Sequence, residues 1–196
     1  MGRVYDEIDD EQIRWIRNQH MFFVATAAPE AHVNLSPRGL DTFRVLGPRR
    51  VAWLDLTGSG VETIAHLRAE GRITLMFCAF EGPPKILRLY GQGEVLAPGE
   101  EEFEKLRPHF PDLPGERAII DVSVERIADS CGYGVPRMDF VGPREELLTS
   151  AERKGPEKMA KYRALRNTRS IDGLPGLDPE SQTQTLPGSL ALRWSR

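Results

Sequence analysis

Between Met21 and Ile127 the chain reads as about seven short strands, with only one helix of three turns standing between any neighbouring pair. Parallel strands would need a long crossover each time, usually a helix. One such helix cannot supply a doubly wound sheet. The expectation is a mainly β (α+β) chain built as a mostly antiparallel barrel with a few flanking helices.

The strands are bounded by turn chemistry. Met21 to Ala27 and His32 to Ser36 form a hairpin around Ala28-Pro29-Glu30-Ala31. Thr42 to Leu46 and Arg50 to Leu56 flank Gly47-Pro48-Arg49, and Arg72 to Phe80 is an apolar strand. Lys85 to Leu96 is long and contains Gly91 and Gly93, which mark a bulge or a bend of the kind barrel closure requires. Ala118 to Ile127 is the last strand. Helices are expected over 6–19, Val61 to Glu70 with Gly71 as its stop, Pro98 to Leu106, and 151–169, where Met159, Tyr162 and Leu165 share a stripe. The division is 1–150 as the barrel domain and 151–196 as a C-terminal helix and tail, with Ile171 to Leu177 extended and the last twenty residues loose.

Charge narrows the function classes. With 26 Lys+Arg against 29 Asp+Glu the net charge is -3, so no global basic field exists to hold nucleic acid. The basic helix over 151–169 reads as a solvated face or a dimer contact. Two cysteines make no disulfide framework: Cys78 reads as a small buried hydrophobe, and Cys131 lies in a Gly-rich turn. The N-terminus turns acidic at once, no signal core follows, and the longest apolar stretch is too short to cross a bilayer. A cytoplasmic protein with no membrane partner is expected.

The four histidines are scattered without metal-ligand spacing. No Gly-x-Ser-x-Gly elbow or Walker A loop occurs, and Gly58-x-Gly60-x-x-Thr63 lacks the third glycine of a dinucleotide fingerprint. Any difficult chemistry would come from a borrowed cofactor.

Two segments suit an anion. In Asn34-Leu35-Ser36-Pro37-Arg38-Gly39, alternation puts Asn34 and Ser36 on one face, Pro37 stiffens the exit, and Arg38 offers the fork that fits a phosphate. The alternative is a turn with a surface arginine. In Asp55 to Thr63, a Gly-rich turn opens a helix whose free N–H groups and dipole favour an anion, with Thr57, Ser59 and Thr63 as hydroxyl donors around Gly58. The alternative there is a capping box, Ser59-x-x-Glu62, which would account for the same residues. One hairpin separates the segments, so their ends can meet.

The run from Phe22 to Phe80 resembles the flavin-binding split barrel of the pyridoxamine 5'-phosphate oxidase-related proteins. The resemblance rests on Phe-Val-Ala-Thr-Ala, on Asn34 to Gly39, on Leu54-Asp55-Leu56-Thr57-Gly58-Ser59-Gly60, and on Glu62-Thr63-Ile64-Ala65-His66-Leu67. It continues in Lys85 to Gly91, Ser130-Cys131-Gly132-Tyr133-Gly134-Val135-Pro136 and Ile171-Asp172-Gly173-Leu174-Pro175. It implies a homodimer of six-stranded antiparallel split barrels with flavin mononucleotide (FMN) at the interface. The phosphate would meet Arg38 and the turn from Thr57 to Thr63. Arg88 and Lys85 would lie along the isoalloxazine edge. Cys131 and Tyr133 would close the cleft from the partner subunit. The chain departs from the oxidase pattern: Glu62 and Thr63 stand where that pattern has Arg and Lys, and its C-terminal arginine motif has no counterpart.

The resemblance implies an FMN-dependent oxidoreductase acting on a small molecule or electron donor by hydride transfer. A flavin carrier or redox sensor without turnover, a barrel that uses a deazaflavin, and an interaction module without flavin stay open as alternatives. No catalytic residue is assigned. Asp55 and Tyr133 are the only candidate bases, and Asp55 also suits a structural acceptor at a strand end.

Overall fold

The computed structural model describes residues 2–178. The expected loose tail lies, from 179 onward, outside the described residues.

Among the described residues, eight strands form one antiparallel sheet: β1 (Val4–Tyr5), β2 (Phe22–Thr26), β3 (Asn34–Arg38), β4 (Phe43–Gly47), β5 (Arg50–Leu56), β6 (Arg72–Cys78), β7 (Ile86–Leu96) and β8 (Glu116–Ser130). Their order is β3-β2-β6-β7-β8-β5-β4, with β1 added on β8. The sheet coils into a split barrel whose end strands, β3 and β4, do not pair with each other. Seven of the strands are those legible in the sequence. The eighth, β1, has only two residues and is held by pairing with β8 and by the Tyr5 hydroxyl bonding Asp129.

Strand alternation sorts the side chains. Ser36, Val24, Leu75, Leu89 and Ile127 stand in one row across the sheet, and all but Ser36 are buried in the barrel core. The adjacent row, Pro37, Phe23, Met76, Arg88 and Ala128, faces the opposite side. β5 is buried on both faces. Val51 and Trp53 join the barrel core, while Ala52, Leu54 and Leu56 join a second cluster with Phe103, Leu106 and Phe110. Fully burying a side chain such as Phe77 stabilises by roughly 1.5–3 kcal/mol. The β7–β8 register shifts between Tyr90 and Gly91, and the extra residue is Glu125 of β8, so the bulge expected at the β7 glycines lies on the partner strand opposite Gly91.

Four α-helices among the described residues flank the barrel: α1 (Asp10–Arg17), α2 (Glu62–Ala69), α3 (Glu101–Leu106) and α4 (Glu146–Arg166). α1 is shorter than its apolar spacing suggested because Asp9 starts it. The Asp9 carboxylate accepts the Gln12 N–H at 2.8 Å, and the Gln12 side chain accepts the Asp9 backbone N–H in return. α2 runs from the end of β5 to β6, packs on β2 and β7, and stops at Gly71, whose φ of 82° suits glycine. α4 corrects the expected helix at 151–169. It begins earlier, runs across position 150 and breaks at Gly155 and Pro156, where Gly155 has φ 69°. The expected stripe is split: Met159 is buried and Leu165 is 73% exposed. Residues 171–177, expected as extended, instead fold back: Arg169 bridges Pro175, the Ser170 N–H donates to the Leu174 carbonyl, and the Ser170 hydroxyl oxygen accepts the Leu174 N–H around Gly173. Among the described residues, no helix is long and apolar enough to cross a membrane.

Candidate functional site

The two segments read as anion-binding do meet. Arg38 closes β3 opposite Phe22, so its side chain turns to the inner face, toward the start of α2. Its Nη2 donates to Thr63 Oγ1 at 3.4 Å and stands 3.2 Å from Asp55 Oδ1. Asn34, two pleats back on the same face, donates to Thr63 Oγ1 at 3.1 Å and to Thr26 Oγ1 at 3.0 Å. Ser36 donates to Asn34 Oδ1 at 2.9 Å. Asn34, Ser36, Arg38, Asp55 and Thr63 therefore form one polar network where β3, β5 and α2 converge.

Asp55 is buried and negatively charged at the network's centre. Burial alone would raise its pKa. The guanidiniums of Arg117 and Arg38 more than offset that and hold it below the ordinary carboxylate value. Arg117 Nε bonds Asp55 Oδ2 at 2.6 Å. One of Arg38's own nitrogens, Nε, is buried without a hydrogen-bond partner, so the fork keeps an unmet donor.

The helix start corrects the capping-box alternative. The N-cap of α2 is Val61, and no side chain caps it. The Glu62 carboxylate instead accepts the Ile171 N–H at 3.1 and 3.3 Å, drawing the C-terminal segment onto the start of α2. The segment is also tied by Asp172 to His32, at 2.6 Å, and by Arg68 to the Gly176 carbonyl.

The other candidates divide. Thr57 is buried, and its N–H and hydroxyl both donate to the Gly115 carbonyl at 2.7 Å. The Gly58 carbonyl is bonded by Asn167, while Ser59 is exposed. Pro37 is exposed on the outer face, and the Gly39 carbonyl accepts the Thr42 hydroxyl. Lys85 stacks on Trp15, its Nζ 5.0 Å from the ring centre. Arg88 lies on the outer face and donates to Ser130 at 3.1 Å. Cys131 is exposed, and Tyr133 is 82% exposed in a segment that also exposes Met138 and Val141. Within one chain, then, Arg38 and Arg88 face opposite sides of the sheet.

Four residues in or beside the network were not singled out from sequence. Arg117 and Asn167 lie beneath the Thr57–Gly60 turn. Arg163 donates to Thr57 Oγ1 at 3.4 Å, and burial together with Arg117 holds its pKa down to about 10. His66 Nδ1 lies 3.1 Å from Thr26 Oγ1, and its Nε2 is buried without a partner. The only sequence signal for Arg117 is an arginine abutting the apolar run Ala118-Ile119-Ile120.

Known proteins are similar to this chain in sequence and in fold. The family model for pyridoxamine 5'-phosphate oxidase matches residues 8–131. A pyridoxamine 5'-phosphate oxidase family protein of Aspergillus flavus, ustO, is 39% identical over 193 residues, covering 88% of this chain and 77% of the relative. Two crystal structures share the fold at a TM-score of 0.50. One is a single-site variant of HupZ from Group A Streptococcus, 21% identical over 63% of this chain and 99% of its own. The other is a candidate pyridoxamine 5'-phosphate oxidase from Lactobacillus delbrueckii, 17% identical over 64% of this chain and 97% of its own.

Proposed function

The chain belongs to the pyridoxamine 5'-phosphate oxidase family, and from that premise we propose that it is a flavoprotein, binding FMN by its phosphate at the meeting of β3, β5 and α2 and serving as an oxidoreductase for a small molecule. The observation that carries this reading is the Arg38 fork. It lies beside Thr63 and the uncapped start of α2, with its Nε buried and unpartnered. A phosphate of charge about -1.5 to -2 fits that donor set.

Each residue has a distinct task. Arg38 gives charge-assisted bonds, and Thr63 adds a hydroxyl that Asn34 and Arg38 already orient. Asp55 holds Arg38 in place. Arg88, Lys85, Cys131 and Tyr133 serve the ring of a flavin bound by a second copy of the chain, since they stand away from Arg38 in their own. When bound, the isoalloxazine supplies hydride chemistry at N5. The protein's share is orientation and the exclusion of water. The missing counterpart of the oxidase's C-terminal arginine motif speaks for a substrate other than pyridoxamine phosphate.

Titration of the purified chain with FMN, followed by flavin fluorescence, tests the site. Arg38→Ala should weaken binding by more than about tenfold, as loss of a charge-assisted contact does. Unchanged affinity refutes the assignment. Anaerobic stopped-flow mixing of the loaded protein with NADH or NADPH then decides turnover: bleaching within seconds supports an oxidoreductase, and a ring that stays oxidised leaves a carrier or sensor.

A further inference from the structure

Gly58 and Gly60 flank the exposed Ser59, and both carbonyls are held by buried donors. Asn167 Nδ2 donates to the Gly58 carbonyl at 3.2 Å, and Arg117 Nη1 donates to the Gly60 carbonyl at 2.9 Å. The two donors are joined to each other, because Arg117 Nη1 also donates to Asn167 Oδ1 at 3.0 Å. Neither can drift. Arg117 is fixed by Asp55. Asn167 is 0% exposed, its N–H donates to the Arg163 carbonyl at 2.8 Å, and its own carbonyl accepts the Leu177 N–H at 2.7 Å.

The consequence follows from peptide geometry. In a trans peptide the carbonyl and the next N–H point in opposite directions. A Gly58 carbonyl pulled toward Asn167 sends the Ser59 N–H the other way, and a Gly60 carbonyl pulled toward Arg117 does the same to the Val61 N–H. Ser59 and Gly60 are exposed while Asn167 and Arg117 are buried, so the direction away from those donors is toward the exposed turn, with Val61, itself 1% exposed, at its floor. Alternate amides aimed outward at a helix start make an anion-binding concavity. The guanidinium of Arg117 behind the turn adds positive potential without occupying the concavity.

We propose that Asn167 and Arg117 are positioning residues that turn the Ser59 and Val61 amides toward the phosphate of the bound flavin, standing in for the two cations missing at Glu62 and Thr63. This rests on the FMN reading above. It assigns the C-terminal segment, which reaches the turn from more than a hundred residues away, a part in cofactor selection.

FMN and riboflavin share ring and ribityl chain and differ in the phosphate, so their ratio isolates the effect. The full chain and its Asn167→Asp and Asn167→Ala variants are titrated with each. Asn167→Asp keeps the acceptor for Arg117 and loses the donor to Gly58. The parent should prefer FMN at least about tenfold, and each variant should lose about tenfold toward FMN while holding riboflavin within about twofold. Equal losses for both flavins, or unchanged FMN affinity, overturn the inference and leave the FMN reading standing. A parent that binds FMN but shows no preference over riboflavin overturns the inference together with the phosphate-anchored reading it rests on. A parent that binds neither overturns both. Should the variants fail to fold, amide NMR of the parent decides: Ser59 and Val61 N–H signals should shift with FMN and stay with riboflavin, and stationary signals under bound FMN overturn the inference.

Discussion

Arg117 Nε donates to Asp55 Oδ2 at 2.6 Å, and neither side chain is more than 1% exposed. This pair joins the strand that ends at the candidate site to the strand that supports it from behind. Removing one partner leaves the other charge buried, which costs about 3–5 kcal/mol. Arg117→Met should therefore destabilise strongly in urea denaturation. Asp55→Asn should cost less, because Arg38 is partly exposed and Arg117 keeps the Gly60 carbonyl and Asn167 as acceptors. The double variant should fall short of the sum of the singles by at least about 1 kcal/mol, the signature of direct coupling. Strict additivity would mean that the pair is not energetically linked.

Acid stability should report the same carboxylate. The folded pKa of Asp55 lies below its unfolded value, because Arg117 and Arg38 outweigh burial. A depressed carboxylate stabilises fully above the unfolded value, about 3.9, and the contribution fades as pH falls through the lower folded value. The melting temperature of the parent should thus drop below about pH 4 more steeply than that of Asp55→Asn. Parallel curves would remove Asp55 from the acid limb.

The contact between His32 and Asp172 has the opposite signature at its basic end. Hydrogen bonding and charge from Asp172 raise the pKa of His32, and the same hydrogen bonds lower that of Asp172. The ion pair is therefore present above the ordinary aspartate value of about 3.9 and is lost as pH rises through the folded pKa of His32, which lies above about 6.5. In an NMR titration, Asp172→Asn should bring the His32 midpoint down toward about 6.5. An unmoved midpoint would mean that the C-terminal segment does not dock on the β2–β3 turn in solution.

Much of the barrel was legible because its signals are local. The alternation in Phe22 to Thr26 and the punctuation around Arg50 to Leu56 each fix a strand without reference to distant residues, and the glycine inside β7 marks where its ladder to β8 shifts. Arg38 and Thr63 were legible for the same reason, as a strand end and a helix start. Arg117 and Asn167 were not: each acquires its role only from partners 50 or more positions away. Ser59-x-x-Glu62 shows a local signal losing to a tertiary one. Its carboxylate had two possible amide partners, and the backbone of Ile171 took it. Residues 171–177 carry no periodicity, so nothing local announced that they fold back onto α2.

Gly91, opposite the β8 bulge, should be intolerant of any side chain. A Cβ there would sit 2.0 Å from the Ser123 carbonyl oxygen and 3.1 Å from the Val124 Cα. These are backbone atoms of the neighbouring strand and cannot rotate away. Gly91→Ala should destabilise by about 3 kcal/mol, at the upper end of overpacking costs, or prevent folding. Gly58→Ala, where nothing lies within 4 Å, should leave the melting temperature within a few degrees of the parent. Comparable losses in both would mean that the strand spacing around Gly91 relaxes more than β7–β8 pairing allows.

Arg38 and Arg88 yield a test of how the proposed flavin site is assembled. Pairing puts Arg38 beside Phe22, on the core-facing row, and Arg88 beside Met76, on the outer row that also holds Phe23. If both act on one flavin, two chains must supply them. Arg38→Ala and Arg88→Ala should each bind FMN poorly alone. When they are unfolded together and refolded as a mixture, half the dimers are mixed, and each mixed dimer keeps one intact site built from one chain's Arg38 and the other's Arg88. About a quarter of the sites should then regain parental affinity. No recovery, with both variants folded and dimeric by light scattering, would place the two arginines in separate roles and return Arg88 to a strand-surface cation bonded to Ser130.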